Sequence, residues 1–211
     1  MTDPDVMREF ESLGVATIYE ASGRKGLVDT ELIQVIPGSR AAGPARTVVC
    51  GQGDNRGVHA AMAALQPGDV LVLTMPSPAP VALVGELLAT QAKAHGASAL
   101  LVDAAVRDVE ELRALGLPVW CRWVRAAGAT KARRAQLDTV VEVGGAKIAP
   151  GDIVVLDTDG AVVVDQTSVE DVLQASNARL EKENANRKRF AAGELSYDMY
   201  GMRAEDQAAG G

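Results

Sequence analysis

Short runs of consecutive apolar residues recur along the first two-thirds of this chain, each followed by a stretch whose apolar positions carry a helical period. Ala45 to Cys50 reads as a strand that leads through Gly51-Gln52-Gly53-Asp54-Asn55 into an Ala-rich helix ending at Leu65. Pro67-Gly68-Asp69 then turns the chain into a strand over Val70 to Thr74. The pattern repeats with a helix from about Val84 to His95, a buried strand Ala99 to Asp103, a helix Val109 to Leu115 and a strand Val119 to Trp123. Such alternation predicts an α/β fold with a parallel or mixed central sheet and crossover helices.

Past Arg125 the texture changes. Val140 to Val143, Ala146 to Ile148, Ile153 to Asp157 and Ala161 to Val164 are short β runs joined by Gly-rich turns, which predicts a second, mainly antiparallel layer. Pro150-Gly151-Asp152 echoes Pro67-Gly68-Asp69, and both read as turns launching buried strands. At the front, two short helices, one from near Pro4 and one over Ala16 to Ala21, are expected to clasp a neighbouring surface. At the back, Ser168 to about Gly193 predicts a long charged helix with Ser168 as its cap. Its polarity exceeds what one core requires, so the helix and the segment Leu195 to Tyr200 are expected to reach another subunit. One domain over 1–203 and a disordered tail over 204–211 complete the expectation.

Composition narrows the function classes. Hydrophobic residues make up 47% of the 211 positions and aromatics only 3%, so the interior must be Ala, Val, Leu and Ile packed closely between layers. A net charge of -7 and a pI near 4.9 disfavour a nucleic-acid partner, because neutralising phosphates needs clustered Lys and Arg. Lys131 to Arg134 and Arg187 to Arg189 read as solvated faces. Cys50 and Cys121 have no metal-ligand spacing and should be buried free thiols. No leader-like or membrane-spanning apolar run occurs, which points to a cytoplasmic protein with no membrane partner.

Two junctions carry candidate chemistry, because open α/β sheets bind ligands where strands hand over to helices. In Val84-Gly85-Glu86-Leu87-Leu88, a helix starting at Gly85 would present the free amides of Glu86, Leu87 and Leu88, and its dipole would favour a carboxylate. In Asp103 to Glu111, Arg107 beside Asp108 offers a fixed cation and a hard oxygen ligand, suited to an anionic, metal-chelating substrate. The residues alone leave other roles open. Asp108 and Glu111 also have the spacing of a capping box, Glu86 could serve the helix dipole alone, and Arg107 could pair with Asp103. Gly51-Gln52-Gly53, a lone GxG, is poor evidence for a nucleotide or methyl-donor site.

Glu86, twenty residues, Arg107-Asp108, two residues and Glu111 resemble the acid-x20-Arg-Asp-x2-acid signature of the bacterial 4-hydroxy-4-methyl-2-oxoglutarate/4-carboxy-4-hydroxy-2-oxoadipate aldolases. Leu13 to Thr17, Gly53-Asp54-Asn55 with His59, Pro118-Val119-Trp120, Gly128 to Lys131, Pro150-Gly151-Asp152 and Leu195 to Arg203 extend the likeness in order over about residues 12 to 203. The resemblance implies an RraA-like swivelling fold, a three-layer ββα sandwich with a long C-terminal helix. Its relatives include the regulator of ribonuclease activity A, so a non-catalytic regulator binding a ribonuclease or another protein is the alternative. Glu86 stands where the aldolase signature is expected to carry Asp.

The resemblance further implies a metal-dependent lyase releasing pyruvate from a 4-hydroxy-2-keto acid, with oxaloacetate decarboxylation as a side activity. Both reactions leave a pyruvate enolate, and no lysine sits in an evident apolar pocket for a Schiff base, so Mg²⁺ or Mn²⁺ is the expected cofactor. Asp108 would hold it directly, and Glu86 and Glu183, the latter from an adjacent subunit, through water. Arg107 would face the enolate oxygen, Gly85, Leu87 and Leu88 would receive the carboxylate, and Asn55 and His59 would either touch substrate or merely cap and pack. A metal-bound water is the expected base. A homotrimer or homohexamer is the expected assembly.

Overall fold

The computed structural model of the protein describes residues 3–209. Two helices open the chain, α1 (Pro4–Leu13) and α2 (Val15–Ala21), followed by the two-residue strand β1 (Ile33–Gln34) and the long β2 (Ala41–Val49). Then come α3 (Arg56–Met62), β3 (Val70–Thr74), β4 (Ala82–Val84), α4 (Glu86–Ala94), β5 (Ala99–Val106), α5 (Val109–Leu115) and β6 (Val119–Val124). The remainder is β7 (Gln136–Leu137), the hairpin β8 (Val141–Val143) and β9 (Ala146–Ile148), β10 (Ile153–Asp157), β11 (Gly160–Val164), α6 (Val169–Ala191), α7 (Ser196–Met199) and α8 (Met202–Ala209).

The main sheet runs in the order β1-β6-β5-β3-β2-β10-β11, with β4 beside β5 and β7 beside β2. Strand β2 is what joins its two halves. Ala45 to Val49 pair in parallel with β3, while Ala41 to Pro44 pair antiparallel with β10. The second layer expected from the Gly-rich half is therefore present, but it is hydrogen-bonded to the first through β2 instead of forming a separate sheet. Only β8–β9 stands apart. The halves face each other across one apolar cluster, to which β3 and β5 give Val70, Val72 and Leu101 and β10 and β11 give Val154, Leu156 and Ala161. Trp120 lies in it, its indole N–H donating to the Asp157 carbonyl at 2.9 Å.

Helices cover the outer faces and make this a mixed α/β sandwich. Val58, Met62, Ala89 and Leu112 from α3, α4 and α5 pack on Leu71, Leu73, Leu100 and Val102. With both faces covered, β3 and β5 are buried at every position, the pattern of parallel strands. Helices α1 and α2 clasp the adjoining sheet surface: Phe10, Leu13, Val15 and Ile18 seal β10 and β11, and Val172, Leu173 and Leu180 of α6 close over them. In α6 only Ser176 is fully buried.

Several boundaries differ from expectation for identifiable reasons. The helix expected from Val84 starts at Glu86, because Ala82 to Val84 pair with β5 as β4. Ser168 makes no side-chain cap. Asp165 instead accepts from the Thr167 amide at 2.8 Å and closes a 3-10 turn ahead of α6. The segment expected to be irregular from Ala204 is helical as far as Ala209, with Gly210 and Gly211 outside the described residues. No described helix is long and apolar enough to cross a membrane.

Candidate functional site

A cavity of about 220 Å³ opens beyond the carboxyl ends of β4 and β5. It gathers Gly85, Leu87, Leu88, Arg107, Asp108, Asn55 and His59 from loops and helix starts separated by up to 53 positions in the chain, with Gly128, Ala129 and Lys131 on its other side. This is the crevice that open α/β sheets offer to ligands. Among its walls, Asn55 and Leu88 are buried while Leu87 is 82% exposed, so the apolar Leu87 side chain borders the mouth.

Asp108 occupies the N-terminal flank of α5 at φ 60 and ψ 46, a left-handed conformation that non-glycine residues seldom hold. It makes no side-chain cap to its own helix. Instead Asp108 Oδ2 reaches across the cavity floor and accepts from the amide of Glu86 at 3.1 Å. The capping-box reading of Asp108 and Glu111 is thus replaced by a tie between two helix starts. Arg107 does not pair with Asp103, whose Oδ1 is taken by Arg122 at 3.0 Å. Arg107 Nε lies 3.6 Å from Asp108 Oδ2, and both side chains remain about half exposed to the cavity.

Two glycines make room for this pair. A Cβ on Gly85 would lie 2.4 Å from Asp108 Oδ2 and 3.1 Å from Arg107 Nε, and one on Gly128 would lie 2.8 Å from Arg107 Nη1. Gly85 is extended, at φ -130 and ψ -171, so clearance and not backbone freedom requires it. The first intrahelical bond of α4 runs from the Ala89 amide to the Gly85 carbonyl. The amides of Glu86, Leu87 and Leu88 therefore lack helical acceptors. Asp108 takes the first, and those of Leu87 and Leu88 remain for an anion.

The far wall is held by Asp54. Its buried carboxylate accepts from Thr130 Oγ1 at 2.6 Å and from the amides of Ala132 at 2.6 Å, Arg133 at 3.1 Å and Arg56 at 2.9 Å. Burial raises its pKa, but these four donors outweigh burial and hold the carboxyl well below the usual carboxylate range. Backbone bonds from Asn55 N to Thr130 O and from Thr130 N to Gly53 O, each 2.9 Å, stitch the same loops together. Asp54 thereby positions the segment that carries Gly128, Ala129 and Lys131. The Gly53-Asp54-Asn55 motif by itself gives no sign of this task, since donors some 78 positions away cannot be read from spacing.

Other expected residues lie apart from the cavity wall. The Glu86 carboxylate accepts from Thr90 Oγ1 at 2.8 Å, one turn along its own helix, and does not line the cavity. Glu183 lies on α6, ion-paired with Arg179 at 2.8 Å, beside a different hollow bordered by Phe190 and Tyr200. A role for Glu183 here requires a second copy of the chain. No cluster of three or more His, Cys, Asp or Glu suited to a metal occurs among the described residues. Cys50 and Cys121 are buried and free, and burial pushes each thiol up to about 12.

The RraA-like family model, described as Aldolase/RraA, matches residues 15–163. A curated protein from Halalkalibacterium halodurans, named "Putative 4-hydroxy-4-methyl-2-oxoglutarate aldolase", is 29% identical over 197 residues, covering 93% of each chain. Among solved structures, RraAS2 of Streptomyces coelicolor, described as an unusual member of the RNase ES inhibitor RraA protein family, is 27% identical at a TM-score of 0.76. The match covers 88% of this chain and 97% of that one. An uncharacterized protein from Pseudomonas syringae pv. tomato superposes at a TM-score of 0.81 over 92% of each chain, at 24% identity, and bears on the fold alone.

Proposed function

Because the chain belongs to the RraA-like family, we propose that it is a class II pyruvate aldolase acting on 4-hydroxy-2-keto acids such as 4-hydroxy-4-methyl-2-oxoglutarate or 4-carboxy-4-hydroxy-2-oxoadipate. The observation that carries this reading is the convergence of the Arg107 guanidinium, the Asp108 carboxylate and the two open amides of Leu87 and Leu88 on one small cavity. The name of the Halalkalibacterium relative agrees with it.

A 2-keto acid fits these groups by charge. The amides of Leu87 and Leu88, with the dipole of α4 behind them, receive its carboxylate, and Arg107 faces the ketone oxygen. Cleavage between C3 and C4 leaves negative charge on that oxygen, and the Arg107 guanidinium, given room by Gly85 and Gly128, would stabilise it. A divalent cation suits the remaining donor. Asp108 Oδ2 is engaged by Glu86 N, while among the described residues no hydrogen-bond donor contacts Oδ1, which leaves a hard oxygen in the cavity. Asp108 would hold Mg²⁺ or Mn²⁺ directly, with Glu86, and Glu183 from an adjacent subunit of a trimer or hexamer, reaching it through water. Bound there, the metal supplies Lewis-acid stabilisation of the developing enolate charge. The same enolate makes oxaloacetate decarboxylation an expected side activity.

The likeness to RraAS2, a member of a ribonuclease-inhibitor family, favours a second reading, a non-catalytic regulator that binds a ribonuclease. One assay separates the two. With lactate dehydrogenase as coupling enzyme, pyruvate release from 4-hydroxy-4-methyl-2-oxoglutarate and from oxaloacetate is expected with Mg²⁺ or Mn²⁺ and is lost with EDTA. No metal-dependent release from either compound sinks the aldolase reading.

A further inference from the structure

The chain carries a net charge of -7, yet one wall of its cavity has the opposite sign. From Arg125 to Leu137 there is no acid, and the segment brings Arg125, Lys131, Arg133 and Arg134. Asp138, which ends the run, is taken by Arg46 at 2.8 Å. All four cations are exposed, and among the described residues none of them forms an ion pair. Lys131 lines the cavity itself. Backbone bonds hold the rest of the segment beside it. The Arg125 amide donates to the carbonyl of Val106, the residue before Arg107, at 3.0 Å, and the Arg133 amide donates to Asp54 at 3.1 Å. Arg56, also exposed and outside every ion pair, gives its amide to the same carboxylate at 2.9 Å. The Arg133 stem lies across Gly51, where a Cβ would fall 2.6 Å from Arg133 Cβ.

We propose that this loop is a cationic funnel, which draws multiply charged anions to the cavity and ranks 2-keto acids by the further carboxylates they carry; taking the ligand to be a 2-keto acid rests on the aldolase reading. Asp54 is a single buried acid beside five cations and does not cancel their field. The nearest other acids of the chain's helix starts, Glu86, Glu110 and Glu111, belong to α4 and α5 on the facing side. Like charges set side by side repel one another, and an anion at the cavity relieves that repulsion. The effect works at a distance. Charges of one sign around a cleft focus their field into it and raise the capture rate of opposite charge, so no guanidinium of the loop has to touch the ligand. A solvated surface loop, by contrast, would leave ligand choice indifferent to its charges.

The test compares 2-oxoglutarate with 2-oxopentanoate, which has a methyl group in place of the distal carboxylate. Affinities are measured by titration calorimetry on the full-length protein with Mg²⁺ present, and metal-dependent pyruvate release from oxaloacetate is followed separately. At about 20 mM NaCl the wild-type protein should bind the dicarboxylate about tenfold more tightly. At about 300 mM, where screening confines charges to within about 6 Å, the ratio should fall to about threefold. The double variant Arg133→Gln, Arg134→Gln should show the threefold ratio already at low salt, with the Arg133 amide still free to bond Asp54. Arg134→Gln alone should give an intermediate ratio and serves if the double variant fails to fold. As a control, Lys25→Gln with Lys147→Gln removes the same charge from a separate hollow beside β11 and should leave the ratio unchanged. Equal affinities in the wild type, binding of neither ligand, a ratio that survives loss of both arginines, or an equal drop in the lysine control overturns the proposal. A preference lost with the two arginines, without any pyruvate release, upholds the funnel and defeats the aldolase reading. Pyruvate release without a charge preference does the reverse.

Discussion

Strand β5 and the turn that follows it carry the acids of two acid–arginine pairs of opposite character, five positions apart. Asp103 is tied to Arg122 at 3.0 Å, with side-chain exposures of 4% and 27%, and the guanidinium lies 5.1 Å from the centre of the Trp123 ring. Asp108 and Arg107 stand 3.6 Å apart at exposures of 41% and 50%, beside two glycines that clear space for them. The first pair is satisfied by the fold itself. The second is aligned by the fold and left open to a ligand. Residue type and proximity in sequence do not tell such pairs apart; what separates them is how much of their hydrogen-bonding capacity the protein consumes.

The largest expected effect breaks the open pair. Arg107→Ala should lower kcat by about 10²- to 10³-fold, as removal of a single preorganised donor to a developing oxyanion does. Its midpoint of thermal unfolding should stay within about 2 °C of wild type, since an exposed ion pair contributes little to stability. The check is steady-state kinetics beside a thermal melt. A variant that melts early but turns over normally would make Arg107 a second Arg122.

The closed pair should respond the other way. Arg122→Ala should cost about 3 kcal/mol of stability by stranding a buried carboxyl, while turnover per folded molecule persists. The pH dependence has a definite sign. Burial already raises the Asp103 pKa despite the bond from Arg122, so the folded state favours the protonated form. Any destabilisation from that carboxyl is absent at low pH and grows as pH rises from the unfolded value through the folded one. The loss in Arg122→Ala should therefore be larger at pH 7 than near pH 4 in urea melts.

Much of the closed, packed part of the molecule is legible in sequence. Val109–Leu115, Ile153–Asp157 and Val70–Thr74 fall where apolar period and Pro-Gly-Asp turns put them, because those signals are local. Asp69 and Asp152 even repeat one task, each accepting the amide three residues earlier, from Gln66 and Ala149. The open part is less legible. Glu86, Leu87 and Leu88 as free amides follow from where α4 starts, but local spacing made Asp108 a cap for α5, and its left-handed backbone turned the carboxylate toward Glu86 N. The strand β4 also escapes a sequence reading: the few residues after Pro80 carry no period, and only pairing with β5 defines them.

A smaller effect sharpens the comparison from the side of clearance. In Gly85→Ala the backbone is unstrained, since its extended φ of -130 suits alanine, but the new Cβ falls 2.4 Å from Asp108 Oδ2. A short carboxylate can swing aside, so stability should change by less than about 1 kcal/mol, whereas displacing it from Glu86 N should cost about tenfold in kcat/KM. Equal activity would mean that the Asp108 position tolerates movement and that the open pair needs only its charges.

Asp54 offers the finest test, because it is an acid of the site that the protein satisfies completely. Its pKa lies below the usual range, set by Thr130 and the three amides against the opposing effect of burial. A depressed carboxyl contributes stability that is fully present above its unfolded pKa of about 4 and is lost as pH falls towards the folded value. Asp54→Asn should accordingly lower the melting temperature at pH 7 and show a shallower further decline between about pH 5 and pH 2 than wild type. Because the amide still accepts a hydrogen bond but cannot serve every donor, the Gly128 to Arg133 loop should loosen and KM should rise about threefold with kcat nearly retained. If kcat fell as it does for Arg107→Ala, Asp54 would belong with the open pair, and hydrogen-bond satisfaction would no longer separate scaffold from chemistry in this fold.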